Sequence, residues 1–339
     1  MIIRLCLSIF LFSIFGCSGQ QSKSKTATAE KYINSITASE LKKHLYIVAA
    51  DSMQGRETGS EGQKKAGRYM IAQYQSDKIP FPKGASEYYQ RIPAAYFTKS
   101  RGPKLPDSEN IWAFIEGSEK PEEIVVVSAH YDHVGMKGDE IFNGADDDAS
   151  GTVALMEIAQ AFAMAKKDGH GPRRSILILH VTGEEHGLHG SRFYSENPLF
   201  PLKNTVADIN IDMIGRRDTL HKTTNNYVYV IGSDRLSSDL DKITQEANEK
   251  YVKLDLDYKY NDLNEPQRFY YRSDHYNFAK NGIPSVFLFN GIHADYHKST
   301  DTADKIEFDA LEKRTRLAFA IAWELANRKD RPVVDKDGK

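Results

Sequence analysis

The sequence predicts an α/β protein whose mixed, mostly parallel central β-sheet is flanked by helices on both faces. Short apolar runs alternate with amphipathic helical segments along most of the chain. The run 176–182 is almost continuously apolar, which is typical of a strand buried on both faces of a parallel sheet. The body has no internal repeat and no break in composition, so we predict a single domain over 33–330 and a frayed polar tail over 331–339.

The first two predicted elements are helices. Thr37 and Glu40 have the spacing of a capping box, and Leu41 and Leu45 follow at helical intervals. This pattern predicts a helix that begins at Thr37. A second helix is predicted over 62–74 from the same kind of spacing.

A loop-rich stretch over 80–103 precedes the alternating part of the chain. Beyond it, strands are predicted where short apolar runs are bounded by polar turn residues, and helices where apolar residues recur three or four positions apart. The predicted strands cover 111–115, 124–129, 176–182, 206–211, 227–231 and 284–289, and the predicted helices cover 150–166, 239–251 and 310–327. In such sheets, ligands bind at the carboxyl ends of the strands.

Composition excludes several classes of protein. The 339 residues include 45 Lys and Arg and 47 Asp and Glu, for a net charge of −2. With no long basic block, nucleic acid is not an expected partner. Cys6 and Cys17 are the only cysteines. The body therefore has no disulfide framework, no thiolate-ligated metal and no cysteine nucleophile.

The amino-terminal segment has the pattern of an export signal. Its apolar run, 5–15, is too short to span a membrane. Gly16 followed by Cys17 resembles the lipobox of bacterial lipoproteins. That resemblance implies a signal peptide over 1–16, a lipidated Cys17 with a flexible tether over 17–32, and an exported protein anchored to a bacterial membrane that faces the periplasm or the cell surface. An ordinary signal peptide with an incidental cysteine is the alternative.

Five polar segments follow predicted strands and contain the candidate chemistry. They include the consecutive acids Asp146, Asp147 and Asp148 and the pair Glu184 and Glu185. Converging carboxylates repel one another and are costly to desolvate unless a cation lies among them. Imidazole and carboxylate ligands without thiolate suit zinc, with cobalt or manganese as substitutes. A single acidic turn before a helix is usually a helix cap. The metal site is therefore indicated by the five segments together, each of which follows a predicted strand. The segments are 128–135, 143–151, 181–191, 210–216 and 296–302.

In this order, the five segments resemble the M28 family of zinc peptidases, which are two-zinc exopeptidases that include bacterial aminopeptidases. The motifs GADDDASG at 144–151 and GEEHGLHGS at 183–191 carry the resemblance, which extends from about Ala49 to the last predicted helix. The resemblance implies a zinc-exopeptidase fold and two Zn²⁺ ions per chain. It also implies a cis peptide bond between Asp147 and Asp148.

The same resemblance implies a role for each site residue. Asp147 matches the carboxylate that bridges both metals, and Glu184 matches the general base. Asp132 matches the carboxylate that orients a histidine ligand. The remaining implied ligands are His130 and Asp212 for one zinc, and Glu185 and His297 for the other.

Several further residues have open interpretations. His133 is expected at the rim of the cleft, and His180 in the core. Tyr296 and His275 are candidate substrate contacts, because Tyr296 precedes an implied ligand and His275 ends a segment that resembles one near the substrate pocket of relatives. Tyr296 has packing as an equal alternative. Aromatic residues within 218–272 either line an apolar specificity pocket or pack in the ordinary way.

The resemblance implies a zinc-dependent exopeptidase, most closely an aminopeptidase acting on the N-terminal bond of peptide substrates. One alternative is a single-zinc glutaminyl-peptide cyclase, although the GEExGxxGS form favours the peptidases. Others are a dipeptidase or carboxypeptidase of the same family, or a non-enzymatic binding protein on the same scaffold. Membrane contact is expected only through the lipid anchor. Side-chain specificity and oligomeric state are left open.

Overall fold

The computed structural model describes residues 28–98 and 104–338 and is built around one eight-stranded sheet. A separate two-stranded hairpin lies next to it. The strands are β1 (Tyr89–Ile92), β2 (Ser108–Ile115), β3 (Lys120–His130), β4 (Met136–Lys137), β5 (Glu140–Ile141), β6 (Arg174–Val181), β7 (Thr205–Ile211), β8 (Tyr227–Ile231), β9 (Asp255–Asp257) and β10 (Ser285–Phe289).

The order across the large sheet is β1-β2-β6-β3-β7-β10-β8-β9. Its centre is parallel, because β6, β3, β7 and β10 pair in the same direction. Antiparallel pairs join β1 to β2, β2 to β6 and β10 to β8, while β9 is parallel to β8 at the edge. The predicted mixed, mostly parallel sheet is confirmed.

Helices cover both faces of the sheet, as predicted. They are α1 (28–33), α2 (Ala38–Val48), α3 (Glu61–Ser76), α4 (Ala94–Phe97), α5 (Gly151–Lys167), α6 (His189–Glu196), α7 (Ser238–Tyr251), α8 (His275–Ala279) and α9 (Phe308–Asn327). The larger core packs α2, α3, α5, α7 and α9 against one face. The other face packs Tyr194 of α6 and Phe278 of α8 against Trp112 and Leu179.

Local sequence explains where the main elements begin. The Thr37 hydroxyl accepts a hydrogen bond from the Glu40 amide at 3.3 Å, so α2 starts at the predicted cap. All eight residues of β6 are buried, because β6 lies between β2 and β3 with helices on both faces. An alternating pattern is unnecessary for such a strand, which accounts for its continuous apolar run.

The structure contains elements that the sequence pattern does not predict. β1 and α4 interrupt the stretch 80–103 that was expected to be loop-rich, and residues 99–103 lie outside the described chain. α6 is a short helix that begins inside the polar segment 181–191, α8 is a five-residue helix that begins at His275, and β9 has three residues. Elements of three to eight residues show too little periodicity to separate them from loops.

The folded body begins earlier than the predicted boundary. Ala29, Tyr32 and Ile33 are buried in the large core, and the Tyr32 ring lies 5.8 Å from that of Trp323. The flexible tether predicted over 17–32 is therefore wrong from residue 28 onward, because an apolar side of α1 packs there. The predicted signal peptide and Cys17 lie outside the described residues. Within 28–98 and 104–338, no helix is both long and apolar enough to cross a membrane.

The carboxyl-terminal tail is attached rather than frayed along much of its length. The Asp335 carboxylate accepts a hydrogen bond from the backbone amide of Ser238 at 2.9 Å, at the start of α7. The Arg331 guanidinium donates to the carbonyl oxygens of Lys203 and Thr205. The prediction of a frayed 331–339 tail is wrong here, because its polar side chains find partners on the body.

Candidate active site

The candidate active site lies at the carboxyl edge of the central parallel strands. His130 is the last residue of β3, and Asp212 directly follows β7. Glu184 and Glu185 lie in the loop after β6, and His297 lies in the loop after β10. Residues far apart in the sequence therefore meet because parallel strands end at the same edge.

Asp147 enters the site from the loop that precedes α5. Gly144 turns this loop with φ +56°, and a Cβ there would lie 2.2 Å from the Asp147 carbonyl oxygen. The carboxylate of Asp301 accepts hydrogen bonds from the amides of Asp146 and Asp147, at 3.0 and 3.2 Å. The peptide bond between Asp147 and Asp148 is cis, as expected.

Asp147 stands between the two histidines that were expected to be ligands. Its Oδ1 is 3.2 Å from Nε2 of His130, and its Oδ2 is 3.0 Å from Nε2 of His297. The His130 nitrogen is also 3.7 Å from Oδ1 of Asp212, and the His297 nitrogen is 3.1 Å from Oε2 of Glu185. The structure thus brings all five implied ligands together, with one carboxylate shared and one private carboxylate on each side.

Geometry selects two groups of side chains that could each hold a metal ion. In each group the candidate ligand atoms lie within 4.8 Å of one another. The groups are His130, Asp148 and Asp212, and His133, Asp147 and Glu185. They overlap the implied ligands on both sides of the site, and they add Asp148 and His133.

His133 is not at the rim of the cleft, contrary to expectation. Its side chain is fully buried, and its Nδ1 lies 2.7 Å from Oε1 of Glu185 and 3.8 Å from Oδ2 of Asp147. A Cβ built on Gly144 would meet the His133 ring at 2.5 Å, so the glycine makes room for the ring. Successive side chains along a β-strand point to opposite faces of the sheet. His133 lies beyond the end of β3, so this alternation does not predict its direction.

The charges in the site call for a cation. Burial opposes ionisation of Asp147, yet His130 and His297 hold the pKa of Asp147 well below its ordinary value. Burial likewise disfavours the charged form of His297, but Asp147 and Glu185 raise the pKa of His297 to about 10. Without metal, the positive charge next to Asp147 and Glu185 is the protonated imidazole of His297. A divalent cation supplies more charge at the same place.

Unpaired atoms at the centre also fit metal ligation. Nε2 of His130, Oδ2 of Asp147 and Oε1 of Glu185 are buried and have no hydrogen-bond partner of good geometry within the described chain. Such orphaned lone pairs are costly unless a cation accepts them. The donors are nitrogen and oxygen, which suits zinc. The two clusters are consistent with a two-zinc site.

Glu184 lies beside these clusters and faces the cleft with Asp147 and Asp212. Burial, assisted by neighbouring Glu185, raises the pKa of Glu184 well above its ordinary value. The backbone amide of Glu184 donates a hydrogen bond to Oδ1 of Asp132 at 3.3 Å. A carboxyl group with a raised pKa in this position is suited to accept and return a proton.

Asp132 supports both sides of the site, although not only in the expected way. Its carboxylate lies 3.8 Å from Nδ1 of His130, while its own carbonyl oxygen is closer to that nitrogen, at 3.1 Å. Its Oδ2 accepts a hydrogen bond from the Thr58 hydroxyl at 2.8 Å. The Asp132 backbone therefore orients His130 more directly than the carboxylate does, and the carboxylate holds the loop of Glu184.

Arg56 is a functional residue that sequence reasoning missed. Its fully buried guanidinium donates to the carbonyl oxygens of Tyr131, Asn143 and Gly144, at 3.0, 2.6 and 2.9 Å, and also to Val48. The Tyr131 carbonyl directly follows His130, and those of Asn143 and Gly144 lie in the loop that leads to Asp147. Arg56 lies outside all five polar segments, so only the tertiary structure reveals its position beneath the acids.

A chain of buried hydroxyl and amide groups holds Asp212 from behind. The Ser273 hydroxyl donates to Oδ2 of Asp212 at 2.7 Å, and the Asn210 amide donates to Ser273 at 2.8 Å. Ser273 was not predicted to have this role, although it lies in the segment that ends at His275. The second oxygen of Asp212 therefore remains directed at His130.

The two candidate substrate contacts have different positions. Tyr296 lines the cleft and stacks on His297, with ring centroids 3.8 Å apart. His275 is fully buried, and its ring stacks on Phe287 at 4.9 Å. Burial lowers the pKa of His275 to about 3, so the ring is neutral. The structure therefore places Tyr296 at the cleft and His275 in the core behind it.

A small pocket with both polar and apolar lining adjoins the acidic centre. Phe269 is the one member of the aromatic set proposed within 218–272 that lines this pocket in the described chain. Tyr260, Tyr270 and Tyr271 instead line a neighbouring depression. The cleft residues are Asp147, Glu184, Asp212, Met213, Phe269, Arg272, Phe287, Phe289, Ile292 and Tyr296. The lining therefore combines acidic groups with aromatic and aliphatic side chains.

The fold and the site define an α/β protein whose carboxylate–histidine cluster, at the carboxyl edge of its sheet, can hold two metal ions. The model of peptidase family M28 matches residues 110–322, and the chain belongs to this family. A probable leucine aminopeptidase of Trichophyton verrucosum is 31% identical over 223 residues, which covers 64% of this chain and 57% of that protein. The chain spans less than two thirds of the length of such curated relatives.

Solved structures show the same fold. A zinc aminopeptidase from Bacillus subtilis superimposes with a TM-score of 0.67 at 17% identity, covering 89% of this chain and 98% of that one. A glutaminyl cyclase from Bacteroides thetaiotaomicron, bound to N-acetylhistamine, has a TM-score of 0.66 at 17% identity, covering 85% of this chain and 98% of that one. At these identities the likeness concerns the fold.

Proposed function

We propose that the protein is a two-zinc aminopeptidase that hydrolyses the N-terminal bond of peptides. The observation that carries the proposal is the shared carboxylate of Asp147, which lies 3.2 Å from His130 and 3.0 Å from His297. Each histidine has its own further carboxylate, Asp212 or Glu185. A single-metal site needs no such shared group between two separate ligand pairs.

The implied ligands divide into two sets that share Asp147. His130 and Asp212 would hold one zinc, and Glu185 and His297 would hold the other. When bound, zinc supplies Lewis acidity, which makes water a stronger nucleophile at neutral pH and polarises a carbonyl group. His133 and Asp132 do not need to bind metal, because their contacts place Glu185 and His130.

Glu184 is the proposed proton carrier. It faces the cleft, and burial raises its pKa, so it can take a proton from the attacking water and give it to the leaving amine. Asp132 fixes the backbone at Glu184 through the 3.3 Å hydrogen bond. Tyr296, which also lines the cleft, can donate its hydroxyl proton to a developing oxyanion.

The pocket supports a preference for an apolar N-terminal residue. Phe269, Phe287, Phe289 and Ile292 line it next to the acidic centre. The carboxylates attract a free amino terminus, and the apolar side chain then fills the pocket beside it. The name of the Trichophyton verrucosum relative, a probable leucine aminopeptidase, agrees with this preference.

The proposal is tested by counting zinc and measuring peptide hydrolysis. We expect two zinc ions per chain and turnover of leucyl-p-nitroanilide that chelator removes and zinc restores. Glu184→Gln should keep both zinc ions and lower kcat by about 10²- to 10⁴-fold, because it removes proton transfer alone. Glu249→Gln, an exposed change on α7, is the matched control. Near-normal kcat in Glu184→Gln would contradict the assignment.

The same preparation separates the alternatives. A glutaminyl cyclase would bind one zinc and convert N-terminal glutaminyl peptides to the cyclic product, leaving leucyl substrates intact. A carboxypeptidase would require a free carboxyl terminus and would accept an acetylated amino terminus. Absence of any bound zinc at saturating concentrations would favour a non-enzymatic protein.

We propose in addition that the protein is exported and anchored through lipid on Cys17. The apolar run 5–15 and the Gly16–Cys17 pair support this assignment. In a bacterial host, the full chain should label with fatty acid and remain with membranes after a salt wash. Cys17→Ser should lose the label and appear in the soluble exported fraction, whereas unchanged labelling would exclude anchoring at Cys17.

A further inference from the structure

We propose that Arg272 binds a carboxylate group of the substrate and thereby selects among peptides. This inference rests on the proposed aminopeptidase function. The shared chemistry is a carboxylate, which a substrate offers either at its carboxyl terminus, when the peptide is short, or in an acidic side chain. Arg272 is the only basic residue among the described residues that line the cleft.

The guanidinium of Arg272 is exposed and uncommitted. In the described part of the chain it forms no ion pair, although three carboxyl groups line the same cleft. Two of those acids are engaged elsewhere, since Asp212 accepts a hydrogen bond from Ser273 and Asp147 contacts His130. Arg216 near the same edge is different, because its Nη2 is 2.9 Å from Oδ2 of Asp295.

Stacking holds the Arg272 side chain in place without using its hydrogen-bond donors. The guanidinium carbon lies 4.8 Å from the ring centroid of Phe269, which is itself buried. Contact with an aromatic face leaves the N–H groups free at the edge of the guanidinium plane. This edge is the surface that forms paired hydrogen bonds with a carboxylate.

The backbone at Arg272 is tied to the catalytic cluster. Its amide donates to the Phe269 carbonyl oxygen at 3.0 Å, which closes a tight turn. The next residue, Ser273, donates its hydroxyl proton to Asp212. A substrate held near Asp212 and seated in the pocket therefore passes close to the positive charge of Arg272, which lines the same cleft.

An ordinary solvated arginine that merely covers Phe269 is the alternative, and the chain offers a matched control. Arg268 is also exposed, has no ion pair in the described chain, and lies 4.6 Å from the ring centroid of Tyr271. It lines the neighbouring depression instead of the cleft. Arg268→Met therefore removes an equivalent charge and stacking contact at a different place.

The test compares paired substrates on the zinc-loaded enzyme and its Arg272→Met and Arg272→Lys variants. Leucyl-leucine and leucyl-leucinamide differ in the terminal carboxylate, and glutamyl-leucinamide and glutaminyl-leucinamide differ in the side-chain carboxylate. For each pair, the quantity compared is kcat/KM of the carboxylate-bearing substrate divided by kcat/KM of its neutral partner. We expect Arg272→Met to lower this ratio for one pair by about ten- to a hundredfold, mainly through a higher KM for the carboxylate-bearing substrate. Arg272→Lys should recover part of the ratio, and Arg268→Met should leave it unchanged.

The pair that responds identifies the source of the carboxylate. If neither ratio changes by more than about twofold, or if Arg268→Met changes them equally, the inference is overturned. A direct binding measurement tests the role of Arg272 separately from the proposed function. Calorimetry would compare the binding of each dipeptide to zinc-loaded Glu184→Gln and to the double variant that also carries Arg272→Met. If the parent hydrolyses none of the four substrates, the aminopeptidase proposal fails, while loss of carboxylate-dependent binding in Arg272→Met still supports the role of Arg272.

Discussion

Glu157 is a buried carboxyl group in α5, away from the metal clusters, and it makes stability depend on pH. Its Oε1 lies 3.4 Å from Nε2 of His44, and the Nδ1 of His44 lies 2.6 Å from the Tyr69 hydroxyl. Oε2 of Glu157 has no hydrogen-bond partner in the described chain. Burial raises the pKa of Glu157 to about 8 and lowers the pKa of His44 to about 4. Both groups are therefore neutral near pH 7.

The sign of the effect follows from proton linkage. The folded state binds the Glu157 proton more tightly than the unfolded chain, so stability falls as pH rises from the ordinary value of 4.5 to about 8 and then levels off. At about 1.4 kcal/mol per pKa unit, the full loss has an upper limit of about 5 kcal/mol. Gln cannot ionise and presents an N–H group toward His44, as the protonated carboxyl does. Glu157→Gln should therefore stabilise the protein above pH 8 by up to that amount, and by about 1 kcal/mol or less at pH 5.

The assay is urea unfolding of the parent and Glu157→Gln from pH 5 to pH 9 at fixed free zinc. The difference between the two proteins at each pH is the quantity of interest, because pH-dependent zinc binding is common to both and cancels. Glu249→Gln on α7, which removes an exposed carboxylate, is the matched control. A Glu157→Gln difference that is constant within about 0.5 kcal/mol across this range would refute the reasoning.

Three further substitutions test the architecture beneath the site. Arg56→Met leaves several buried carbonyls without donors, and we expect urea unfolding to show a loss of at least about 3 kcal/mol; unchanged stability would mean that water replaces the guanidinium. Gly144→Ala places a methyl group 2.2 Å from the Asp147 carbonyl oxygen at a backbone φ of +56°. The strain should displace Asp147, so chelator competition should show zinc binding that is at least about tenfold weaker than in the parent. Equal zinc affinity of the two proteins would contradict this prediction. His133→Phe keeps an aromatic ring at this position but loses the 2.7 Å contact with Glu185. The affinity for one zinc ion should fall by about 10- to 100-fold, while the affinity for the other is unchanged. An equal loss of affinity at both sites would argue against a local role.

Strands and long helices could be predicted because each has its own periodic signal. β8 was predicted at its observed bounds of 227–231, and α2 begins after the predicted Thr37 cap. The short elements α6 and α8 could not be predicted, since eight and five residues contain too few helical repeats to distinguish a helix from a loop. Tyr32 was assigned to a flexible tether because the sequence around it gives no sign of burial. Its short helix is buried through contact with Trp323, which lies almost three hundred residues away in the chain.

The sequence by itself determined the ligand chemistry of this protein. Carboxylates and imidazoles recur after successive strands with no thiol in the body, and the resemblance to the M28 family implied which of them belong together. Parallel strands then bring their carboxyl ends to one edge, so convergence followed from the fold class.

Only the tertiary structure decided which other groups support the ligands and face the substrate. His133 is buried against Glu185, His275 lies behind the cleft, and Arg56 donates to the loops beneath the acids. Arg272 presents an unpaired charge to the pocket. These positions depend on the directions of side chains beyond the ends of the strands, where no periodic rule applies and packing against distant residues determines the outcome.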